Sequence, residues 1–392
     1  MNGIKDILGQ GINPAKQDLI HWIPLQGGGL NFGQVEYYNQ DMFGDALKRL
    51  KQPIFITGHT GFKGSWLGLL LDHLGIEHFG YSLEAEVSSL FSRANLGNSS
   101  KGAIGDIRDL NNLSRFLGQV NPSVVVHLAA QPLVLKSYEE PLETFQTNCI
   151  GTANLLEAAF QTPSVKVILV ITTDKVYRNE NNGSRFKEND PLEGKDPYSA
   201  SKVAAESVCA AWQQKSKVSG GPQVIVDRAG NVIGGGDFAD DRLIPDLVRS
   251  FLSGDKVKIR NPKATRPWQH VLDPLIGYLK FIEYSLSENH LVPALNFGPL
   301  EPSLEVCRVL EIFESTFQGK IFSESELKNE GLESQRLDLD STRATNLLGW
   351  EPRWNQEEAI AKTIEWWNKV IFEKSGALEM CQNDIQIALN ID

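Results

Sequence analysis

The sequence predicts an α/β fold: a doubly wound parallel sheet, followed by a smaller C-terminal α+β lobe that we expect to bind the substrate. Short β-branched runs alternate with longer helical patterns from residue 53 onward, which is typical of parallel strands covered by helices on both faces. A glycine-rich turn at 58–64 joins the first strand to the first helix. After about residue 233, Gly and Pro interrupt much shorter patterns, which indicates a more irregular lobe.

The elements of the first domain follow one another in a regular order. Strand-like runs occur at 53–57, 76–82, 123–128, 165–172 and 223–228. Helical patterns separate them, at 64–74, 110–119, 142–160 and 197–215. A last helix, from Asn355 to Val370, is expected to end the ordered part of the chain. We therefore expect a first domain over 42–232, a second lobe mainly over 233–372 and a C-terminal tail over 373–392.

Composition limits the function classes that need to be considered. The chain has 392 residues, of which 41% are hydrophobic and 22% charged, enough for a large core. Its net charge of −11 argues against a nucleic-acid partner. The four cysteines are scattered without CxxC spacing, which favours reduced thiols in a cytoplasmic protein. No apolar run has the length of a membrane span, so no membrane association is expected.

Residues 1–41 differ from the rest of the chain. They contain no Ser, Thr or Cys and show no sustained helical or strand period. Met42 is a plausible alternative start, so the segment is interpreted as an appended arm, a disordered leader or a start-codon artefact. We expect little folded structure there.

The glycine turn has the sequence of a pyrophosphate cradle. Gly58, Gly61 and Gly64 lie between a strand and an apolar helix. Without Cβ atoms the backbone can approach the ligand closely, and the helix N-terminus presents free N–H groups to its phosphates. The turn therefore predicts a Rossmann-type dinucleotide site, with Phe62 at its rim.

A Tyr–Lys pair on a predicted helix indicates hydride chemistry on a bound nicotinamide. Tyr198 and Lys202 are four residues apart and so project from one helix face. A nearby ammonium favours the phenolate, so we expect the Tyr198 pKa to be lowered toward neutrality. A chance pair on a solvated helix face is the alternative, and the glycine cradle about 140 residues earlier makes it the less favoured one.

Three reactive side chains follow the apolar strand at 165–172. Thr173 is placed to hydrogen-bond the substrate oxygen that Tyr198 deprotonates. Asp174 and Lys175 form an acid/base couple that simple alcohol oxidation does not need. This surplus suggests a second reaction such as elimination.

Other strand ends supply weaker candidates. Leu128, Ala129 and Ala130 would let a cofactor lie flat over the sheet, although core packing explains them as well. Asp106 and Ile107 would contact the adenine, although a plain surface turn is a nearly equally favoured interpretation of these two residues.

His127 is interpreted as a satisfied structural histidine, and Asn148 as a backbone-binding residue without a chemical step. Arginines after residue 227 are candidates for a diphosphate, although each alone is more often a surface ion-pair partner; they are Arg228, Arg242, Arg260 and Arg266.

The order and spacing of these motifs resemble the extended short-chain dehydrogenase/reductase superfamily, which carries TGxxGxxG, HLAA, a Ser/Thr strand end and YxxxK. Longer strings are similar to the CDP-glucose 4,6-dehydratase family, over roughly 42–370. The strings that carry this resemblance are 57–66, 173–175, 196–202, 228–237 and 266–271. The Asp174-Lys175 pair is the most discriminating, because dehydratases for dTDP-glucose or GDP-mannose carry Asp-Glu or a related acidic pair there.

The resemblance implies a reaction cycle on tightly held NAD. Tyr198 would remove the C4 hydroxyl proton of CDP-glucose, and Asp174, with a pKa raised by burial, would protonate the departing C6 hydroxyl. Lys175 would be the C5 base or an electrostatic stabiliser of the enolate. The expected product is CDP-4-keto-6-deoxy-D-glucose.

The resemblance also implies binding contacts and self-association. Contacts to the diphosphate and cytosine are expected from Asn231, Leu243, Ile244 and Arg266. Relatives pair through two long helices, so 142–160 and 197–215 are expected to make a homodimer or homotetramer. The implied setting is deoxysugar biosynthesis, such as that of lipopolysaccharide O-antigen.

Two departures from the family pattern stand out. Tyr81-Ser82-Leu83 occupies the end of the second strand, where an acidic residue should hold the adenine ribose of NAD, which leaves NAD retention and preference over NADP open. The segment 1–41 has no counterpart in the family. The competing functions are a nucleotide-sugar 4-epimerase, a dehydratase for another nucleotide hexose, and a non-catalytic NAD-sensing scaffold, which usually lacks the active-site Tyr.

Overall fold

The computed structural model describes residues 43, 45–259, 261–287, 292–317, 323–325 and 336–390. The expectation for 1–41 lies outside the described residues, and so does the candidate diphosphate ligand Arg260.

The centre of the fold is a parallel sheet of seven strands. These are β1 (Ile54–Thr57), β2 (His78–Ser82), β3 (Gly102–Ile104), β4 (Val124–His127), β5 (Val167–Ile171), β6 (Gln223–Ala229) and β11 (Ala294–Phe297). Six short strands pair in twos outside it, namely β7 (Val232–Ile233), β8 (Val257–Ile259), β9 (Thr265–Arg266), β10 (Gln269–His270), β12 (Leu304–Glu305) and β13 (Ser323–Ser325).

The strand order confirms the doubly wound prediction. Across the sheet it is β3-β2-β1-β4-β5-β6-β11, and each neighbouring pair is parallel. The order therefore changes direction between β1 and β4. Sheets of this type bind their ligands beyond the carboxyl ends of the strands at that point.

Fourteen α-helices are present in the described ranges. They are α1 (Asp45–Lys48), α2 (Phe62–His73), α3 (Leu90–Arg93), α4 (Leu110–Val120), α5 (Val134–Glu139), α6 (Pro141–Phe145), α7 (Gly151–Phe160), α8 (Pro197–Ser219), α9 (Leu243–Ser253), α10 (Leu272–Ser287), α11 (Val306–Phe317), α12 (Thr342–Leu348), α13 (Gln356–Ile371) and α14 (Ala377–Ala388). One π-helical turn, Gln146–Ile150, joins α6 to α7, so the predicted helix at 142–160 is continuous but irregular.

Each face of the sheet is covered by its own hydrophobic core. Ile54 and Ile56 point to one face and Phe55 to the other, and all three are fully buried. Helices α2, α10, α13 and α14 supply the first core, and α4, α7 and α8 the second. The sheet is thus a rigid support whose carboxyl edge is free to carry polar groups.

Two parts of the structure differ from the sequence expectations. The region 373–392, expected to be a tail, contains α14, with Met380, Cys381 and Ile385 buried at helical spacing against the first core. The prediction that order ends at Val370 is therefore wrong. Strands β3 and β11 were not predicted, and β11 brings residues from beyond 233 into the main sheet beside β6.

Candidate active site

The glycine turn at the start of α2 has the geometry of an anion cradle. Gly58 adopts a positive φ of 76°, and a Cβ there would lie 2.7 Å from the backbone nitrogen of Ala129. A Cβ on Gly64 would lie 2.1 Å from the carbonyl oxygen of Gly58. Gly61 is the N-cap of α2 and offers no side-chain acceptor, so the first N–H groups of the helix remain available to phosphate oxygens. These features fit the pyrophosphate of a dinucleotide.

The end of β4 lies directly against this turn. Leu128, Ala129 and Ala130 are half-buried there, and the Ala129 N–H donates to Thr57 Oγ1 over 3.2 Å. Leu128 and Ala129 therefore flank Gly58, and Ala130 follows them in the chain.

The predicted adenine contacts at the end of β3 have other roles as well. The Asp106 carboxylate accepts hydrogen bonds from the backbone N–H of Arg108 at 2.8 Å and from its guanidinium at 2.6 to 3.0 Å. Ile107 is 4% exposed, and it occupies the space that a Cβ on Gly151 would need, 2.5 Å from its Cδ1. Ile107 therefore packs against the start of α7, and its contact with the adenine stays a prediction.

The two neutral groups assigned structural roles behave as predicted. Buried His127 contacts Thr57 Oγ1 at 2.7 Å and Thr152 Oγ1 at 3.0 Å, and burial lowers its pKa to about 3. Asn148, in the π-helical turn, accepts from the Gln131 N–H at 2.8 Å and donates to its carbonyl at 3.0 Å. The predicted hydrogen bonding of both residues is confirmed, and the expectation that neither takes part in a chemical step stays a prediction.

A network of neutral groups replaces the expected carboxylate at the end of β2. The Ser82 hydroxyl lies 2.9 Å from both His59 Nδ1 and Thr60 Oγ1. Burial, with a smaller effect of His78, lowers the His59 pKa to about 4, so the ring is neutral near pH 7. The His59 ring lies over Gly80, where a Cβ would be 2.1 Å from its Cγ. Any ribose bound here would therefore meet hydroxyl and imidazole groups.

The Tyr–Lys pair occupies the first turns of α8. Asp196 caps this helix by accepting from the Ser199 N–H at 2.9 Å, and Pro197 begins it. Burial raises the pKa of Tyr198 to about 12, so the expected lowering is not found in the protein alone. Lys202 donates to the Ile171 carbonyl over 3.1 Å, and burial lowers its pKa to about 8. At Tyr198, desolvation outweighs the Thr173 hydrogen bond and the positive charge of Arg242, which both lower the pKa.

Thr173 and Asp174, close after β5, both act on Tyr198, and Lys175 follows them in the chain. Thr173 donates to Asp174 Oδ1 over 3.0 Å and also hydrogen-bonds the Tyr198 hydroxyl. Asp174 is 2% exposed, and its Oδ2 has no hydrogen-bond partner among the described residues. Burial raises its pKa, which agrees with the requirement for a general acid, while Lys175 opposes the shift. Lys175 is half-buried beside it.

Arg228 is placed differently from the expectation. We predicted a diphosphate contact, but Arg228 lies within β6 in a buried pair with Glu206, at 2.8 Å from Nε and 2.7 Å from Nη2. Its Nη1 donates to Tyr177 and to the Glu188 carbonyl. With these donors used inside the protein, Arg228 stabilises the fold beneath the site.

Of the other predicted substrate contacts, Arg266 acts on a catalytic group. Arg266 is 5% exposed, and its positive charge acts on the Asp174 carboxyl. Asn231 is half-buried just after β6, and its carbonyl accepts from the Gln269 N–H at 3.0 Å. Leu243 and Ile244 begin α9, with Ile244 2% exposed.

Sequence reasoning missed a charged group beneath the site. Lys63, inside the glycine turn, donates to the Tyr278 hydroxyl over 3.2 Å and interacts with the fully buried Asp227. The one local sign of this buried charge was a lysine inside an otherwise neutral glycine turn. Its partners are distant in sequence, and no local pattern reveals them.

The described residues show neither a membrane-spanning helix nor a metal-binding cluster. No helix in these ranges is both long and apolar enough to cross a membrane. Within the same ranges, no three His, Cys, Asp or Glu side chains are grouped as a metal ion would require.

Comparison with known proteins identifies similar chains. A family model described as GDP-mannose 4,6 dehydratase matches residues 55–363. The chain is 42% identical over 321 residues to the CDP-glucose 4,6-dehydratase of Salmonella typhimurium, covering 80% of this chain and 89% of that one. It is 27% identical to the dTDP-glucose 4,6-dehydratase of Xanthomonas campestris, with 80% and 92% covered.

Solved structures resemble the fold. The structure of MoeE5 in complex with UDP-glucuronic acid and NAD aligns with a TM-score of 0.69 at 25% identity. The alignment covers 81% of this chain and 99% of MoeE5.

Proposed function

The chain belongs to the GDP-mannose 4,6-dehydratase family, and from this membership we propose that it is an NAD-dependent hydro-lyase that converts CDP-D-glucose to CDP-4-keto-6-deoxy-D-glucose and water. The observation that carries the proposal is the buried Asp174 carboxyl, with a raised pKa and an unpartnered Oδ2, hydrogen-bonded through Thr173 to the site of Tyr198. The similarity to the Salmonella CDP-glucose enzyme supports the choice of nucleotide.

The glycine turn accounts for cofactor binding, and the Tyr198–Lys202 pair accounts for the first proton transfer. NAD, when bound, accepts a hydride from the sugar and returns it. The glycine turn and the uncapped start of α2 would hold its pyrophosphate, with Ala129 against the turn. Tyr198 takes the proton of the C4 hydroxyl, and Thr173 hydrogen-bonds the same oxygen. Lys202, close below, favours the phenolate that this step requires.

The elimination step belongs to the residues after β5. Loss of the C5 proton and departure of the C6 hydroxyl as water leave a double bond between C5 and C6. Asp174, whose pKa is raised by burial, gives its proton to the departing hydroxyl. Lys175 acts at C5, either as the base or as a cation that stabilises the enolate.

An isotope experiment tests the reaction. Purified protein incubated with CDP-glucose in D2O should give a 4-keto-6-deoxy sugar with deuterium at C5. Deuterium placed at C4 of the substrate should reappear on the new methyl group. Product from dTDP- or UDP-glucose but none from CDP-glucose would overturn the nucleotide assignment, and retention of the C4 label at C4 would overturn the hydride path.

Substitution of Asp174 separates a dehydratase from an epimerase. Asp174→Asn cannot donate the proton, so a dehydratase should oxidise the sugar and then stall, with NADH absorbance at 340 nm building up. An epimerase needs only Tyr198 and Lys202 and should keep most of its activity. Asp190→Asn, an exposed carboxylate that accepts from the Lys187 N–H at 2.8 Å, is the matched control and should turn over normally.

Substitutions that keep or remove the positive charge of Lys175 distinguish its two proposed roles. Lys175→Arg keeps a permanent positive charge but cannot act as a neutral base near pH 7. If Lys175 stabilises the enolate, this variant should retain substantial deuterium exchange at C5, whereas Lys175→Met should not. If Lys175 is the base, both variants should lose the exchange.

The exposed surface supports self-association through α6–α8. Leu142 is 71% exposed and Ile150 53% exposed on the run formed by α6 and the π-helical turn, with Tyr138 at 43% nearby on α5. We propose a homodimer or homotetramer buried at this face. Leu142→Glu with Ile150→Glu should reduce the mass measured by light scattering to that of a monomer. Val87→Glu, at a remote 78% exposed residue, should leave it unchanged.

The setting proposed for the enzyme is the cytoplasm and deoxysugar biosynthesis. The four cysteines of the chain are free thiols, which suits a reducing compartment.

A further inference from the structure

Tyr198 is the second residue of α8, at a position where the backbone N–H has no partner within the helix. Pro197, the first residue, has no N–H, and the third N–H, that of Ser199, donates to the capping Asp196 at 2.9 Å. The N–H of Tyr198 therefore needs a partner from another element. Because Tyr198 is buried, an unpaired N–H at this position would cost free energy.

The partner of this N–H is the hydroxyl of Ser137, on α5. The Tyr198 N–H donates to Ser137 Oγ over 3.1 Å, and Ser137 donates its own hydroxyl proton to the Val134 carbonyl at 2.6 Å. A carbonyl can only accept and an N–H can only donate, so the direction of both bonds is fixed. Ser137 is 0% exposed, so its hydroxyl is a buried bridge between α5 and the first turn of α8.

The segment that leads into α5 is itself held in place. Gln131 binds the Asn148 side chain with both of its backbone groups, at 2.8 and 3.0 Å. The side chain of Gln131 binds both backbone groups of Leu133, at 2.6 and 3.1 Å. The same segment begins beside the glycine turn, where Ala129 lies against Gly58. Ser137 therefore belongs to a support that also flanks the proposed cofactor site.

The carbonyl of Tyr198 is held as well. Ser201 Oγ donates to it over 2.6 Å and accepts from Asn148 Nδ2 at 2.9 Å. Both backbone groups of Tyr198 are thus bonded to serine hydroxyls, Ser201 within α8 and Ser137 outside it. A shift of the first turn of α8 relative to α5 would stretch the bond to Ser137.

The position of this turn determines where the phenol hydroxyl of Tyr198 lies. That hydroxyl bonds Thr173, which follows β5, so the two partners belong to different elements. It is at the far end of a rigid ring, so a small movement of the backbone is carried to it in full. Catalytic groups must be held within about 0.5 Å of their productive geometry, and a misplacement of about 1 Å can cost roughly 10²-fold in rate.

We propose that Ser137 is a positioning residue for Tyr198, which holds the first turn of α8 by the tyrosine N–H so that the phenol hydroxyl meets Thr173. Ser137 acts through the backbone of Tyr198 and not on the sugar or the cofactor. The effect on the rate rests on the proposed function, whereas the effect on the position of Tyr198 is a property of the protein alone.

The direct test compares crystal structures of the full chain without substrate. Ser137→Ala removes the acceptor and leaves the Tyr198 N–H buried without its partner. The first turn of α8 should then move, so that the phenol hydroxyl lies at least about 0.5 Å from its position in the parent protein after superposition on β1, β4 and β5. A smaller displacement would overturn the proposal.

A kinetic measurement tests the consequence for proton abstraction. In Asp174→Asn, where NADH should accumulate, the rate constant of NADH formation reports the oxidation step, and the amplitude reports the amount of folded enzyme. Adding Ser137→Ala should lower the rate constant about 10- to 100-fold and leave the amplitude and the half-saturating CDP-glucose concentration nearly unchanged. A merely structural role would instead lower the amplitude at an unchanged rate constant, and that result would overturn the proposal.

A buried serine elsewhere in the fold provides the matched control. Ser341 is 1% exposed, accepts the Gly298 N–H at 2.9 Å and donates to the carbonyl of the same residue at 3.1 Å. Ser341→Ala should lower stability but leave both the position of the Tyr198 hydroxyl and the rate constant unchanged. Equal slowing by Ser341→Ala and Ser137→Ala would overturn the proposal.

A second variant keeps the test decisive if Ser137→Ala does not fold. Ser137→Cys fills a similar volume, but its sulfur is a weak acceptor, so the same displacement and a rate constant at least about threefold lower are expected. An unchanged rate constant in that variant would overturn the proposal. Lack of NADH formation in Asp174→Asn itself would overturn the proposed function and leave the crystallographic result on Ser137 decisive.

Discussion

The two halves of the sheet's carboxyl edge differ in how their buried polar groups are satisfied. Beyond β1, β2 and β4 the histidines are neutral and hydrogen-bonded, with His127 between Thr57 and Thr152 and His59 against Ser82, and Lys63 is the ionisable exception there. Beyond β5 and β6 the groups are ionisable, and Asp174 keeps an oxygen without a partner in the described structure. The first half is built to bind a dinucleotide without titrating, and the second to move protons.

The comparison also separates two kinds of buried charge within the second half. Glu206 and Arg228 satisfy each other through two hydrogen bonds, and further donors of Arg228 reach Tyr177 and Glu188. Asp174 and Lys202 have fewer partners and shifted pKa values. Complete pairing indicates a structural role, whereas incomplete pairing leaves a group able to act on a ligand.

The largest effect is expected at Tyr198. Tyr198→Phe removes the hydroxyl that accepts the C4 proton and keeps the buried ring, so product formation should fall roughly 10³-fold. Rates of product formation and NAD affinity should be measured together. NAD binding should stay within about threefold of the parent, because the pyrophosphate cradle lies in the neutral half. If NAD binding fell together with activity, Tyr198 would also be needed to bind NAD. The division into a binding half and a proton-transfer half would then be wrong.

The next largest effect is expected at the buried ion pair of Arg228 and Glu206. Arg228→Met leaves Glu206 charged and buried without its partner, so the free energy of unfolding should fall by about 3–5 kcal/mol. Arg178→Met, which breaks an exposed pair with Glu193 at 3.0 Å, is the control and should cost no more than about 1 kcal/mol. Denaturant unfolding measures both. An Arg228→Met protein of normal stability but raised KM for the nucleotide sugar would instead restore the original assignment of Arg228 to the diphosphate.

Sequence alone predicted the parts of the molecule that depend on local pattern. The glycine turn, β1, β4, β5 and the caps of α8 follow from residues within a few positions of one another. The structural role of His127 followed from its place at a buried strand end. Long-range pairings were missed, because Lys63 and Tyr278 are 215 residues apart and neither neighbourhood indicates the other. The Tyr198 pKa was predicted in the wrong direction, because a sequence shows the neighbouring lysine but not the depth of burial.

A smaller effect is expected at Gly80 in the neutral half. Gly80→Ala would place a Cβ 2.1 Å from the His59 ring, so the ring must move toward the dinucleotide site. NAD affinity should fall about tenfold while the rate of the bound enzyme changes little. Gly118→Ala in α4, where nothing lies within 4 Å of a Cβ, should leave NAD binding unchanged and slightly stabilise the helix. Equal losses of affinity in both variants would show that His59 does not line the site.

The smallest effect is expected when the pH is lowered, because NAD affinity should stay nearly constant. The pKa values of His59 and His127 are lowered to about 4 and about 3, so neither ring gains a proton between pH 6.5 and 5, and NAD affinity should change less than about twofold over that range. Stability should nevertheless decline there, because the unfolded chain protonates His59 and His127 near pH 6.5 and the folded chain does not, which favours unfolding as the pH falls. Calorimetric titration of NAD and thermal unfolding at the same pH values measure the two quantities. A tenfold loss of NAD affinity at pH 5 would mean that the neutral half titrates after all, and the distinction between a binding half and a proton-transfer half would fail.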